Sequence, residues 1–217
     1  LEIVFNPVTE HESFKQEYVE QEKNNLKQRI EGKIDNKARY ALDRCIEEMY
    51  SSKPFGLYKF GYVEDLENIN ASNLYEAYKN LIETCKIDIF ISGKIDQNIE
   101  EEIFKNENIM NLEQRNPNYV VSNNNIKEKK QENIVTESKD VTQGKLVLGL
   151  DVNIDDEELK YNVLVYNSIL GGSANSKMFQ NVREKAHLAY VASSSYLRYK
   201  NNIFVNCGIE IANYEKA

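Results

Sequence analysis

Apolar residues recur along much of the chain at spacings of three and four, the period of a helix that buries one face. This spacing predicts helices at residues 14–34, 35–49, 70–82, 96–104, 157–170 and 173–185. Alternating apolar residues, or short Leu- and Val-rich runs, instead predict strands. The predicted strands are residues 86–92, 144–152, 188–196 and 203–211. Helices and strands mixed in this way, with a polar turn between the last two strands, favour an α+β fold over a doubly wound parallel sheet.

Residues that cap helices place the starts of three of these helices. Asp35 is the expected N-cap of the second helix, and either Asn70 or Ser72 opens the third. The Gly-Gly-Ser sequence at residues 171–173 predicts the end of one helix and the start of the next. This glycine pair does not indicate a nucleotide-binding loop, because Lys177 has no glycine before it and no serine or threonine after it.

The composition changes between residues 106 and 140, where Asn, Lys, Glu and Gln dominate and few residues are apolar. Such a segment cannot bury enough apolar area to offset the entropy of fixing it. We therefore expect residues 106–140 to be an exposed connection between residues 1–105 and residues 141–217.

Composition and charge exclude several classes of protein. A chain of 217 residues that is 41% apolar can form a sizeable core. The net charge of −8 argues against nucleic acid as a partner, because a phosphate backbone is bound by clustered Lys and Arg. No apolar run is long enough to predict a membrane span or a signal peptide. Three cysteines without a C-x-x-C pair predict reduced thiols and a cytoplasmic protein.

The histidines do not predict a zinc site within the chain. Catalytic zinc needs His, Cys or carboxylate ligands at helical or hairpin spacing. His11 and His187 are far apart, and neither has a second histidine three to five residues away. We therefore expect no metal in this chain.

Arg183 and Tyr190 are the leading candidates for a binding site, because they flank a predicted corner between a helix and a strand. Arginine presents a rigid fork of donors to carbonyl or carboxylate oxygens, and a tyrosine hydroxyl can donate to a developing oxyanion. The alternative is purely structural, since arginines near helix ends and half-buried strand tyrosines are common. On spacing alone, the structural alternative is the simpler one.

The stretch that contains these two residues, 170–190, resembles the C-terminal half of a pitrilysin/insulysin-type zinc peptidase, of the family with the inverted H-x-x-E-H motif. The shared features are the Leu-Gly-Gly at 170–172, the Ser-Lys at 176–177 and the Arg-Glu-Lys at 183–185. In that family an arginine and a tyrosine seven positions apart contact the bound peptide and its reacting carbonyl. The resemblance implies that Arg183 and Tyr190 bind substrate. His187 departs from the pattern, because most relatives have glycine there and glycine takes positive φ freely.

Residues 18–30 resemble the family helix that supplies the third zinc ligand. Active members carry two acidic residues seven apart on it, the first supporting the site and the second binding the metal. The resemblance puts Glu22 in the supporting position and Arg29 in the ligand position. A guanidinium has no lone pair to offer a cation, so this register implies a degenerate metal site. A register one turn away would instead make Glu22 or Glu31 the ligand.

Nearly the whole chain takes part in this resemblance. It implies two related domains of helices and antiparallel sheet, each partly present: the second half of the first in residues 1–105, and the first half of the second in residues 141–217. The subgroup it matches is bacterial and lacks the zinc motif. The chain would then be a fragment of a longer protein.

The implied function is that of a non-catalytic subunit, inactive alone, that contacts the peptide substrate and completes the chamber of an active partner. The implied partner is an active sister subunit that carries zinc; self-association of the chain is the other possibility. One alternative is an active zinc endopeptidase whose H-x-x-E-H motif lies upstream of Leu1. A weaker alternative is a module that binds peptides without cleaving them.

Overall fold

A computed structural model describes residues 2–94, 98–113, 132–152, 154 and 156–216. Its α-helices are α1 (Glu2–Phe5), α2 (Gln16–Glu31), α3 (Lys37–Met49), α4 (Val63–Leu66), α5 (Ala71–Thr84), α6 (Ile99–Phe104), α7 (Glu107–Glu113) and α8 (Glu157–Leu170). Its strands are β1 (Thr9–Glu10), β2 (Ser13–Phe14), β3 (Gly144–Asp151), β4 (Ala189–Leu197) and β5 (Asn202–Ile209). A π-helix spans Phe179–Lys185, and 3₁₀ turns span Gly32–Asp35, Pro54–Gly56 and Ile211–Asn213.

The described residues form two compact units. The first unit comprises those of Leu1–Lys27 and Glu64–Asn133, and the second comprises those of Gln28–Val63 and Ile134–Ala217. This division follows spatial proximity, whereas the predicted domain boundaries follow the family resemblance. Those boundaries therefore stay a prediction.

In the first unit, the antiparallel pair β1–β2 packs against α5 through aromatic rings. The ring of Phe14 lies edge-on to those of Tyr75 and Tyr78, with centroids 5.2 and 5.6 Å away. Asn70 caps α5 by accepting from the Asn73 backbone N–H, while the Asn73 side chain accepts from the Asn70 backbone N–H. This capping box selects Asn70, one of the two predicted caps.

In the second unit, an antiparallel sheet has the strand order β3–β5–β4, with β5 between the other two. β4 and β5 form the predicted hairpin. Helix α3 lies against β3, and a Cβ at Gly149 would stand within 3.0 Å of the Cys45 Sγ and closer still to the Met49 Sδ. The Tyr50 hydroxyl donates to Oδ1 of the fully buried Asn202 at 2.6 Å. The combination of these helices with antiparallel sheets confirms the α+β prediction.

The hydrophobic core of the second unit lies between this sheet, the π-helix and the end of α8. Its buried residues are Met178, Ala189, Ala192, Cys207 and Ile209. Partly buried residues complete it, namely Leu146, Leu170, Val182 and Val205. The core therefore fixes the helix-to-strand corner on which the sequence placed its candidate site.

Two predicted helix starts are wrong. Asn36, not Asp35, caps α3, and its side chain accepts from the Arg39 backbone N–H at 3.0 Å. Residues 173–176 form turns, and the helical residues begin only after Ser176, whose hydroxyl accepts from the Phe179 backbone N–H at 3.3 Å. Asp and Asn, or two nearby serines, cap equally well in principle, so residue type alone does not decide between them.

The predicted strand at residues 86–92 is also wrong within the described ranges. The segment carries no ladder pairing there, and the Phe90 side chain is 92% exposed. Alternating residues indicate which side chains share a face, but a strand also requires a neighbouring backbone to pair with its N–H and C=O groups.

The predicted connection at residues 106–140 begins with helix α7, and residues 114–131 lie outside the described residues. Near its end, Glu137 accepts hydrogen bonds from the Tyr40 hydroxyl at 2.7 Å and from the Arg44 Nε at 2.6 Å. The predicted helix at 96–104 starts outside the described residues and is observed as α6. None of the described helices is both long and apolar enough to cross a bilayer.

Candidate functional site

Arg183 lies on the outer side of the π-helix that precedes β4. The Ala186 N–H donates to the Asn181 carbonyl and the Leu188 N–H to the Val182 carbonyl, both at 3.0 Å, so the turns are wider than those of an α-helix. Val182 packs against the core, and its neighbour Arg183 projects from it. Such wide turns are rare and occur frequently at functional sites.

The Arg183 guanidinium is held loosely in place by its neighbours. Its carbon lies 4.6 Å from the ring centroid of Phe179, and its Nε lies 3.6 Å from the Glu184 carboxylate. Both side chains of this ion pair are about half exposed, with 45% and 50% of their area accessible. Exposed pairs of this kind contribute about 0–1 kcal/mol, so a ligand can replace Glu184 with little loss.

Tyr190 is the extra residue of a β-bulge. Ala189 pairs with Ile209 and Val191 with Gly208, so one residue of β4 has no counterpart on β5. The bulge breaks the alternation of the strand, because Tyr190 and Val191 are both 54% exposed while Ala189 is buried. Bulges re-aim side chains and are enriched beside active sites. Here the bulge turns Tyr190 outward on the side of Arg183.

His187 makes the turn between the π-helix and β4 with a φ of +52°. This is the left-handed conformation that glycine adopts freely and that costs other residues roughly 1–2 kcal/mol. The histidine at this position therefore takes the backbone conformation for which glycine is suited.

Gly171, at the end of α8, is hydrogen-bonded to β4. Its carbonyl accepts from the Ser194 N–H at 3.0 Å, and the Ser194 hydroxyl donates to the Asn167 Oδ1 at 2.8 Å. A Cβ at residue 171 would lie 2.4 Å from the Ser194 nitrogen. The close approach requires glycine, and it fixes the strand that carries Tyr190.

Two hollows of about 260 Å³ each open at this corner, and Arg183 and Tyr190 line both of them. Glu184, His187 and Glu210 contribute to the first hollow. The second is also lined by residues 171–173, by Phe179 and by residues 191–193 of β4. We call Arg183, Glu184, His187, Tyr190 and Glu210 the corner residues.

Glu210 is the corner residue that the sequence did not reveal. The Tyr190 hydroxyl donates to its Oε1 at 3.1 Å, and this hydrogen bond, with the negative charge of the carboxylate, raises the pKa of Tyr190. Glu210 follows directly after β5, and the hairpin register brings it beside the start of β4. The predicted hairpin was the only signal for this proximity, and it did not specify the register.

Glu22 and Arg29 both lie exposed on α2. The Glu22 carboxylate accepts from the Asn25 side chain at 3.3 Å, and the Arg29 guanidinium lies 5.0 Å from the ring centroid of Phe60. Across the described ranges, His, Cys, Asp and Glu side chains form no group of three or more that could hold a metal ion. The assignment of Glu22 and Arg29 to a degenerate metal site stays a prediction.

The chain is similar to several known proteins over most or all of its length. The chain is 39% identical over 218 residues to the "Probable inactive metalloprotease YmfF" of Bacillus subtilis, covering 100% of the chain and 50% of that protein. It is 25% identical to the "Uncharacterized zinc protease YmxG" of the same organism, covering 88% of the chain and 46% of that protein. A crystal structure of a conserved protein from Enterococcus faecalis superposes with a TM-score of 0.82 at 28% identity, over 99% of the chain and 50% of that structure.

The chain thus spans about half the length of the curated relatives it matches. Residues 68–217, which include every corner residue, match the family described as the peptidase M16 inactive domain. The resemblance to non-catalytic members of a zinc peptidase family is confirmed: the chain belongs to the peptidase M16 inactive domain family.

Proposed function

We propose that the chain is the substrate-contacting part of a non-catalytic subunit, which completes the peptide chamber of an active, zinc-bearing partner. The observation that carries the proposal is the corner itself. Arg183 and Tyr190 reach the same concave surface from two different elements, and both are exposed. A guanidinium and a hydroxyl on one surface are the donors that a peptide carbonyl needs.

The two side chains have different parts in this proposal. Arg183 binds a backbone carbonyl or a carboxylate of the peptide, replacing its weak contact with Glu184. Tyr190 donates its hydroxyl hydrogen to the carbonyl that is attacked, where negative charge develops. A zinc ion, held by the partner subunit, would activate the water that attacks the carbonyl.

Arg29 supports an arrangement in which one subunit contacts the substrate and the other subunit holds the zinc. In the register that the resemblance gives, this residue stands where a zinc ligand is required, and a guanidinium cannot ligate a cation. The relatives in one organism include a protein named as inactive and another named as a zinc protease. A pair of that kind is the arrangement that the proposal needs. Self-association would be a different arrangement, because a second copy of the chain carries the same Arg29.

A second candidate function is favoured by the relative that is named as a zinc protease. In this case the full-length protein is itself a zinc endopeptidase, and its metal motif lies upstream of Leu1. The two candidates differ in one measurable respect, because only the second predicts peptide cleavage by the full-length protein without a partner.

The experiment uses the full-length protein, assembled with a zinc-protease relative from the same organism, and a quenched fluorescent peptide as substrate. Arg183→Ala and Tyr190→Phe should leave melting temperature and assembly unchanged. Turnover should fall, for Tyr190→Phe by about 10²–10³, the effect of losing one donor to an oxyanion. The full-length protein alone, supplied with zinc, should cleave nothing.

The chain offers matched controls for both variants. Arg198 also stacks on an aromatic ring, Tyr161 at 4.6 Å, and also pairs with a carboxylate, that of Glu157 at 2.8 Å. Tyr196 lies on β4 and donates to the Asn201 side chain at 3.0 Å. Arg198→Ala and Tyr196→Phe should therefore leave turnover at the wild-type level. Equal losses in the corner variants and the controls would reduce the corner to a structural feature.

A further inference from the structure

The Tyr190 hydroxyl is hydrogen-bonded within the corner itself. Its donor has a single hydrogen, and that hydrogen is directed at the Glu210 carboxylate, 3.1 Å away. An ionised carboxylate only accepts hydrogen bonds, so Glu210 cannot reverse the direction of this contact. A peptide carbonyl that enters the corner must therefore compete with Glu210 for the same hydrogen.

The charges around the hollow leave Glu210 without a cation. Two carboxylates, Glu184 and Glu210, line it together with one guanidinium, that of Arg183, and with His187. Arg183 is paired with Glu184. Within the described ranges, the Tyr190 hydroxyl is the only group that is hydrogen-bonded or ion-paired to the Glu210 carboxylate.

We propose that Glu210 is a specificity-determining residue that selects peptides with a lysine or arginine side chain beside the carbonyl bound by Tyr190. This rests on the proposed function, since it assumes that the corner binds peptide. The incoming cation binds Glu210, and the Tyr190 hydroxyl then turns from the carboxylate to the peptide carbonyl. A peptide without the cation binds more weakly, because Glu210 retains the hydroxyl.

The relative strengths of the two contacts favour this exchange. Hydrogen bonds between an ammonium or guanidinium and a carboxylate have charge on both partners and are stronger than those of an uncharged hydroxyl. A volume of about 260 Å³ is below the usual range for drug-sized ligands, roughly 300–1,000 Å³, and suits a single long side chain. The long apolar stem of lysine or arginine can lie along Leu188 and Ala189, which also line the hollow.

The test measures binding of fluorescein-labelled peptides to the full-length protein. A neutral peptide scaffold carries one lysine, one norleucine or one glutamate at each position in turn. At one position, lysine should bind more tightly than norleucine by up to about fivefold, as for an exposed ion pair, and glutamate more weakly than both. The preference should decrease as salt is raised, because salt screens exposed charges.

Glu210→Gln should abolish this preference, and Glu210→Lys should reverse it in favour of glutamate. Glu158→Gln is the matched control, because it removes an exposed carboxylate on α8 that lines neither hollow, and it should leave the lysine preference intact. Melting temperatures show that each variant is folded. A lysine preference that survives in both Glu210 variants, or that is lost equally in Glu158→Gln, would overturn the inference.

The same peptides separate this inference from the proposed function. Arg183→Ala and Tyr190→Phe should weaken binding of every peptide in the set. If neither variant changes binding of any peptide, the proposed function fails and the inference fails with it. If both weaken binding while Glu210→Gln keeps the lysine preference, the inference alone fails.

Discussion

Replacing the glycine at the end of α8 by alanine tests how the corner is built. Gly171 is buried, and its φ of −153° lies outside the left-handed region that favours glycine. The obstacle to a side chain is therefore steric. An added Cβ would lie 2.4 Å from the Ser194 nitrogen, 2.7 Å from the Ser194 Oγ and 2.8 Å from the Ser193 carbonyl carbon, so β4 or the end of α8 must move.

The size of the effect follows from that crowding. Forcing a methyl group into a packed position typically costs about 1–3 kcal/mol. For a chain of this size, each kcal/mol lowers the melting temperature by roughly 2–4 °C. The displaced strand carries Tyr190, and Gly171 lines the same hollow as Arg183, so peptide binding should weaken as well. Gly171→Ala should therefore reduce both stability and binding.

Thermal melting followed by circular dichroism gives the stability, and fluorescence anisotropy with a labelled peptide gives the binding. Gly32→Ala is the control, because its Cβ would meet only the Asp35 Oδ2, at an ordinary 3.5 Å. That variant should melt at or slightly above the wild-type temperature. If Gly171→Ala melts like wild type and binds the same peptides equally well, the close approach to β4 is not needed for the corner.

Two further predictions concern the second unit away from the corner. Tyr50→Phe should lower the free energy of unfolding by about 1–3 kcal/mol, because it leaves the Oδ1 of the fully buried Asn202 without its donor. Tyr199→Phe removes the hydroxyl of an exposed tyrosine and is the control. Equal melting temperatures for the two variants would contradict the prediction. Hydrogen bonds from Arg44 and Tyr40 lower the pKa of Glu137 below its ordinary value of 4.5. The stability that these bonds contribute is therefore present above pH 4.5, and it is lost as the pH falls through the lowered pKa. The melting temperatures of wild type and Glu137→Gln should therefore converge in acid. The Arg44–Glu137 pair is partly exposed, so its contribution to the free energy of unfolding is at most about 1 kcal/mol. A difference in melting temperature that stays constant at all pH values would refute this role of Glu137.

Local sequence patterns predicted the elements whose limits are set by local chemistry. The predicted helix at residues 157–170 is α8 as observed, because Asp156 caps its start and the glycine pair ends it. The two last strands and the polar turn between them were also placed correctly, to within two residues. The α+β fold class followed from these elements.

Patterns failed where the outcome depends on distant residues. Residues 86–92 alternate as a strand does, but alternation carries no information about a pairing partner. The choice of Ser176 over Ser173 as the helix cap depends on packing, since Ser176 is only 1% exposed. Neither outcome can be obtained from the residues of the segment alone.

The candidate site shows the same division. Arg183 and Tyr190 were identified through the family resemblance, while their spacing alone favoured a structural role. The bulge at Tyr190 and the contact with Glu210 depend on the register between β4 and β5. A register is a property of two strands, so no motif in either one could have indicated that Glu210 belongs to the corner.

The backbone of the corner gives a reason for a binding role that does not depend on relatives. Three departures from regular structure follow one another here: the wide turns of the π-helix, the positive φ of His187 and the bulge at Tyr190. Each one gives up regular hydrogen bonding or places a residue in a costly conformation. The bulge also serves the core, because Ala189 and Ala192 are three positions apart and would face opposite sides of a regular strand, yet both are buried. Together the three departures direct Arg183 and Tyr190 onto one exposed surface, which is the arrangement that the proposed peptide binding requires.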